Sequence, residues 1–176
     1  MGKMMKRICI ALIALFAGFG LLSAQKIAYI NTETILGEIP AYAAAQQQLN
    51  ALSDKYKASI ETELGKVENL YQTYQTNKNT MTAAQRQNAE NEIISKERVV
   101  QEKQKIYFGE DGIMAKRAEE LLGPIRQDVD KAIAEVARMN GCDLVIDLAA
   151  VQGVVYKNET LDLTQKVLAR YLENQH

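Results

Sequence analysis

The chain has 176 residues, of which 47% are apolar, 24% are charged and 6% are aromatic; it holds two prolines and no Trp. That apolar share excludes a chain disordered by composition, and the length suffices for one domain with a core of its own. The net charge of −1 gives no support to non-specific nucleic-acid binding, so no nucleic-acid partner is expected.

Residues 1–24 read as a cleavable signal peptide. Lys3, Lys6 and Arg7 form a positive start, Ile8 to Leu22 carries no charge, and Ser23–Ala24 supplies the small residues before a cut at Gln25. The apolar run is shorter than the ~20 residues that span a bilayer. Export to a periplasm is the expected outcome. Cleavage removes three positive charges and no acid, leaving 18 Lys+Arg against 22 Asp+Glu, a net of −4. It also removes Cys9 and leaves Cys142 as the one thiol, expected to be buried and inert.

Lys26–Asn31 is a short apolar run with β-branched residues, and the pattern predicts a strand. Asn31 can cap a single helical turn that Gly37 ends, and Pro40 stands where a new helix starts. From Ala41 to Thr76 apolar residues recur at steps of three and four: Tyr42, Ala45, Leu49, Leu52, Tyr56, Ile60, Leu64, Val67, Tyr71 and Tyr74. This is the seam of a helix packed on a partner helix, and a helix of that length, ~54 Å, must project from so small a core.

A polar stretch near residues 77–81 predicts a turn, and Thr82 with Gln85 has capping-box spacing. A short turn makes the return helix antiparallel. Its apolar positions run Ile93, Val100, Tyr107, Met114, Leu121, Ile125, Val129, Ala132 and Val136. Interruptions are expected at Gly109, Gly112 and Gly123–Pro124, with a kink at the proline. Gly141 ends the helix. Asp143–Leu148 and Gly153–Lys157 predict two more strands, apolar enough to be buried on both faces. Asp162 with Gln165 caps a last helix, Leu163–Leu172, with Leu163, Val167, Leu168, Tyr171 and Leu172 as its buried stripe.

The fold class is therefore α+β, mainly α: a long antiparallel helical hairpin (residues 41–140) projecting from a small β body (residues 25–40 and 141–176). Three strands leave open edges and too little cover, which self-association into a barrel would resolve. No enzyme is expected. The one histidine is the last residue, no Cys/His cluster has metal spacing, and no phosphate-binding loop is present, so no catalytic, cofactor-binding or metal residues are assigned and no cofactor is expected. Asp143 and Asp147 flank a strand and are expected to be solvated.

Cys142–Asp147 (CDLVID), Val154–Tyr156 (VVY) and Asp162–Leu168 resemble the strand–strand–helix signature of the OmpH/Skp family of periplasmic chaperones, and Lys26–Asn31 resembles its first strand. The resemblance covers the whole mature chain; the hairpin matches in length and pattern only. It implies a homotrimer with a β-barrel body closed between subunits and helical tentacles around a cavity. The trimer would hold unfolded outer-membrane proteins without ATP. The oligomerisation candidates are Ile27, Tyr29, Leu144, Val145, Ile146, Val154, Val155 and Tyr156. Many weak contacts suit a holding role, and Ile60, Leu70, Tyr71, Tyr74 and Met81 are the client-binding candidates; each would serve equally as a seam residue. Family members are strongly basic, whereas this mature chain is acidic, so contact with a membrane or lipopolysaccharide is not expected. The rival function is a structural coiled-coil spacer of the cell envelope.

Overall fold

The computed structural model describes residues 25–175; the expected signal peptide and His176 lie outside the described residues. Strand β1 (Ile27–Ile30) leads into a short helix α1 (Thr32–Gly37). Asn31 caps α1, its Oδ1 accepting from the Thr34 amide at 2.9 Å. Helix α2 (Pro40–Asn77) follows with proline at its first position, where the missing N–H costs nothing. Its 38 residues extend about 57 Å.

Helix α3 (Ala83–Phe108) opens on the expected capping box. The Gln85 amide donates to Thr82 Oγ1 at 3.3 Å, and the Thr82 amide donates to Gln85 Oε1 at 2.8 Å. The return path then breaks once, at Gly109–Gly112, before helix α4 (Ile113–Met139). Glycine is required there. A Cβ on Gly109 would stand 2.4 Å from the Lys105 carbonyl oxygen, and one on Gly112 would stand 2.8 Å from that of Gly109. The expected interruption at Gly123–Pro124 does not occur: α4 runs through both residues. Pro124 removes one backbone donor, and the apolar packing of Leu122, Ile125 and Val129 on either side holds the helix through it.

Gly141, at φ +63°, ends the chain's helical excursion. The Cys142 amide donates to Ala137 O at 2.9 Å and the Gly141 amide to Arg138 O at 3.1 Å, a Schellman closure. Strand β2 (Leu144–Asp147) then pairs parallel with β1, Ile27 opposite Leu144 and Ile30 opposite Asp147. A 3₁₀ turn (Glu159–Leu161) and helix α5 (Thr164–Asn174) complete the fold. Asp162 Oδ1 accepts from the Thr164 amide at 2.8 Å, but the residue at the cap position is Leu163 and the Gln165 side chain donates to Glu38, so the expected Asp162–Gln165 cap does not form.

The main core joins β1 and α1 to the last turns of α4 and the inner face of α5. Ile35, Ile39, Ala132 and Val167 are its most enclosed residues, and Cys142 and Val145 pack against it half-buried. Leu163, Val167, Leu168 and Tyr171 form the buried stripe of α5; Leu172 faces solvent, contrary to expectation. Among the described residues the sheet has two strands. The run expected as a third, Gly153–Lys157, is extended but unpaired, and Val155 is 100% exposed. One reason is local. The far edge of β1 is already taken by Asp162–Leu163, whose Leu163 amide donates to Tyr29 O at 2.9 Å. β2 is likewise half-open rather than buried on both faces, because one chain supplies cover for one face only.

Candidate functional site

The hairpin is zipped from its base outward. Ala45 and Leu49 on α2 bury against Leu122 on α4, with Tyr42, Met114, Ala118 and Ile125 around them. Beside the glycine break, Tyr56 stacks on Tyr107 with centroids 4.1 Å apart, and Phe108 meets Tyr56 edge-on. Such pairs add about 1 kcal/mol to the area they bury. Further out, Ile60, Ile93 and Val100 are buried. Glu63 accepts from Lys103 across the hairpin at 3.0 Å and pairs with Lys66 on its own helix at 3.2 Å. The Lys103 and Lys66 hydrogen bonds hold the Glu63 carboxyl below its ordinary range. Near the tip the Tyr74 hydroxyl donates to Glu90, which pushes the phenol up.

This zipper corrects the expected seam. Leu64 and Tyr71 lie outside it, Tyr71 being 52% exposed. The inward positions are Ile60, Glu63, Val67, Leu70 and Tyr74, all buried or half-buried. A pattern built on apolar residues alone passes over Glu63, which is satisfied inward by a cation on the facing helix. Ile60, 7% exposed, is a seam residue in the closed hairpin; Leu70, Tyr74 and Met81 are half-buried. Sequence reasoning missed Ile94, Val99, Ile106 and Phe108, all exposed on α3. Their signal was present: each is one residue out of step with the seam positions Ile93, Val100 and Tyr107.

The assembly candidates divide into two groups. Tyr29 is buried, Val145 and Ile146 are half-buried, and of the three only Val145 packs against the main core, Tyr29 and Ile146 standing opposite each other in the strand pair outside it. Ile27, Leu144, Val154, Val155 and Tyr156 are exposed, Tyr156 to 82%. Lys157 Nζ lies 5.2 Å from the Tyr29 ring centroid, and the buried Tyr29 hydroxyl has no hydrogen-bond partner among the described residues.

Asp147 is not merely solvated. Its carboxylate accepts from Thr32 Oγ1 at 2.6 Å, the Thr32 amide at 3.1 Å and the Ala149 amide at 3.0 Å, tying the end of β2 to the start of α1. Burial acts to raise its pKa, but the three donors outweigh it and hold the group below the usual aspartate range. Asp143 accepts from the Lys26 amide at 2.8 Å. Among the described residues no group of three or more His, Cys, Asp or Glu is placed to hold a metal, and no helix is long and apolar enough to cross a membrane.

The structure is thus a parallel strand pair joined to a long helical hairpin, with apolar side chains left open along the hairpin. The family described as "Outer membrane protein (OmpH-like)" matches residues 26–171, and the chain belongs to it. It is 30% identical over 167 residues to "Chaperone protein Skp" of Photorhabdus laumondii subsp. laumondii, covering 93% of this chain and 99% of that one. The protein of the same name from Photorhabdus luminescens matches to the same extent. A crystal structure of an OmpH-like protein from Caulobacter crescentus CB15 shares the fold, with a TM-score of 0.62, 16% identity and 86% of each chain covered.

Proposed function

We propose that the chain is an ATP-independent holding chaperone of the periplasm, which binds unfolded outer-membrane proteins as a homotrimer and keeps them from aggregating in transit. The observation that carries this reading is the open hairpin: beyond the glycine break, large apolar side chains such as Leu64, Tyr71 and Ile94 stand about half exposed to solvent. Isolated apolar residues are ordinary on protein surfaces, but this group lies on one projecting element of a chain whose curated relatives are named as chaperones. A spacer needs the seam and not these residues. The exposed run Val154–Tyr156 and the open edge of β2 support assembly, since a strand from a neighbouring copy would satisfy both.

Excision of Tyr56–Phe108, joining Lys55 to Gly109 through a short glycine turn, tests the reading. The cut removes the Tyr56–Tyr107–Phe108 stack as a unit and leaves the Ala45–Leu49–Leu122 base intact. Light scattering of a urea-unfolded outer-membrane β-barrel protein diluted into buffer should show suppression by the full mature chain and none by the excised one. Equal suppression by both would place binding on the body and refute the proposed mechanism.

A further inference from the structure

One stretch of backbone is left without hydrogen bonds in its own chain. Among the described residues, no N–H or C=O group from Val151 to Lys157 pairs with another part of the chain. Other departures from regular structure are bonded through. At the hairpin tip the Lys78 amide donates to Tyr74 O and the Thr80 amide to Asn77 O; at the glycine break the Gly109 amide donates to Lys105 O and the Gly112 amide to Gly109 O. The ends of the open run are fixed. On one side Asp147 accepts from the Ala149 amide at 3.0 Å, and on the other Asn158 Oδ1 accepts from the Thr160 amide at 3.1 Å. Between these anchors Gly153 stands at φ +85°, with open space where a Cβ would be. The run is a strand slung clear of the fold.

An endoprotease needs such a segment. Its cleft takes substrate as an extended strand and pairs with the main chain, whereas a helix must unwind before it can enter. Val155 is fully exposed and Tyr156 nearly so, so both side chains flanking their peptide bond already stand outside the fold. Resting on the assembly reading above, we infer that the Val155–Tyr156 bond is a proteolytic site, open in unassembled copies and closed by assembly. The enzyme that fits it is an endoprotease with a small apolar pocket for valine. Cleavage is hydrolysis: the C–N bond breaks, the hydroxyl of water joins the Val155 carbonyl carbon, and its proton goes to the Tyr156 nitrogen. A neighbouring copy that pairs with the run occupies the same main-chain groups, so neighbour and protease compete for one segment. The cut has a structural consequence. It leaves α5 held by non-covalent contacts alone, such as the Leu163 amide to Tyr29 O and Arg170 to Glu135 at 2.6 Å. Once α5 departs, the core cluster that Val167, Leu168 and Tyr171 share with Ile35, Ile39 and Ala132 is opened. One cut therefore removes an orphan copy, while an assembled copy is protected.

The test uses the full mature chain and an elastase-type serine protease, with fragments identified by intact mass. A labelled peptide of residues 150–159, added in trace, reports the protease activity available at each concentration. In dilute solution the first cut should yield a fragment ending at Val155. Raising the chain from about 0.1 to about 50 μM should slow that cut at least about tenfold relative to the peptide, in step with the assembled mass from light scattering. Size exclusion of the dilute, cut protein should separate the C-terminal fragment from the rest. A first cut at the hairpin tip or the glycine break would overturn the site. A relative rate that stays constant while the mass rises would overturn protection by assembly. Fragments that stay together would overturn removal by a single cut. A mass of one copy at every concentration would instead overturn the assembly reading, and protection with it.

Discussion

Asp147→Ala is the substitution whose effect the structure fixes most tightly. The carboxylate receives three donors, two from Thr32 at the first turn of α1 and one from Ala149. It therefore clamps the end of β2 to the start of the neighbouring helix, where a negative charge also suits the helix dipole. Alanine leaves two backbone amides and a hydroxyl without their acceptor. Hydrogen bonds to a charged group contribute about 1.5–3 kcal/mol each when fully enclosed. The site is half-open and water can replace part of the loss, so about 2 kcal/mol in total is expected for Ala and about 1 kcal/mol for Asn, which keeps an acceptor but loses the charge.

The sign with pH follows from the depressed pKa. Because the folded-state value lies below the unfolded one, the stabilisation is complete above the unfolded pKa, about 4, and disappears as pH falls through the folded pKa. Urea titrations followed by far-UV circular dichroism, at pH 7 and in steps below pH 4, should show a wild-type-to-Asn gap that narrows toward acid. Protein concentration must be held fixed, since assembly contributes to stability. An Ala variant within about 0.5 kcal/mol of wild type, or an Asn gap that widens at low pH, would refute the clamp.

Two further substitutions probe the break and the assembly. Gly109→Ala drives a Cβ to 2.4 Å from a backbone carbonyl oxygen and should cost about 1–3 kcal/mol, read as a lowered urea midpoint; an unchanged midpoint would show that the break adjusts freely. Val155→Asp lies on a fully exposed side chain, so the isolated fold should keep its helical signal while sedimentation or light-scattering mass falls below the trimer. A trimer of unaltered stability would remove Gly153–Lys157 from the interface.

Much of this architecture was legible because local chemistry decided it. The capping box at Thr82–Gln85, the proline at the head of α2, the Asn31 cap and the glycine break at 109–112 each depend on neighbours within a few residues. The failures share a different cause. Gly123–Pro124 was expected to interrupt a helix that runs on through both residues, and Leu64 was placed in a seam whose position Glu63 occupies through a cation forty residues away. Gly153–Lys157 carries strand chemistry but has no partner in its own chain, so the pattern recorded a preference that one copy does not satisfy. The exposed residues on α3 went unread because attention to the dominant period discards whatever falls one step beside it.

The pairing of β1 with β2 has a consequence for the order in which the molecule is made. Ile27 meets Leu144, and the Lys26 amide meets Asp143, so two segments 117 residues apart are fastened around the helices between them. The hairpin closes through contacts between sequence neighbours of its turn and can form early. The strand pair must wait for a long loop to close, which is slow and entropically costly. A chain delivered from its N-terminus carries β1 unpaired until Leu144–Asp147 arrives. Any association that needs the finished sheet is therefore confined to complete chains, and a truncated copy lacking β2 cannot present the edge that a neighbour would join.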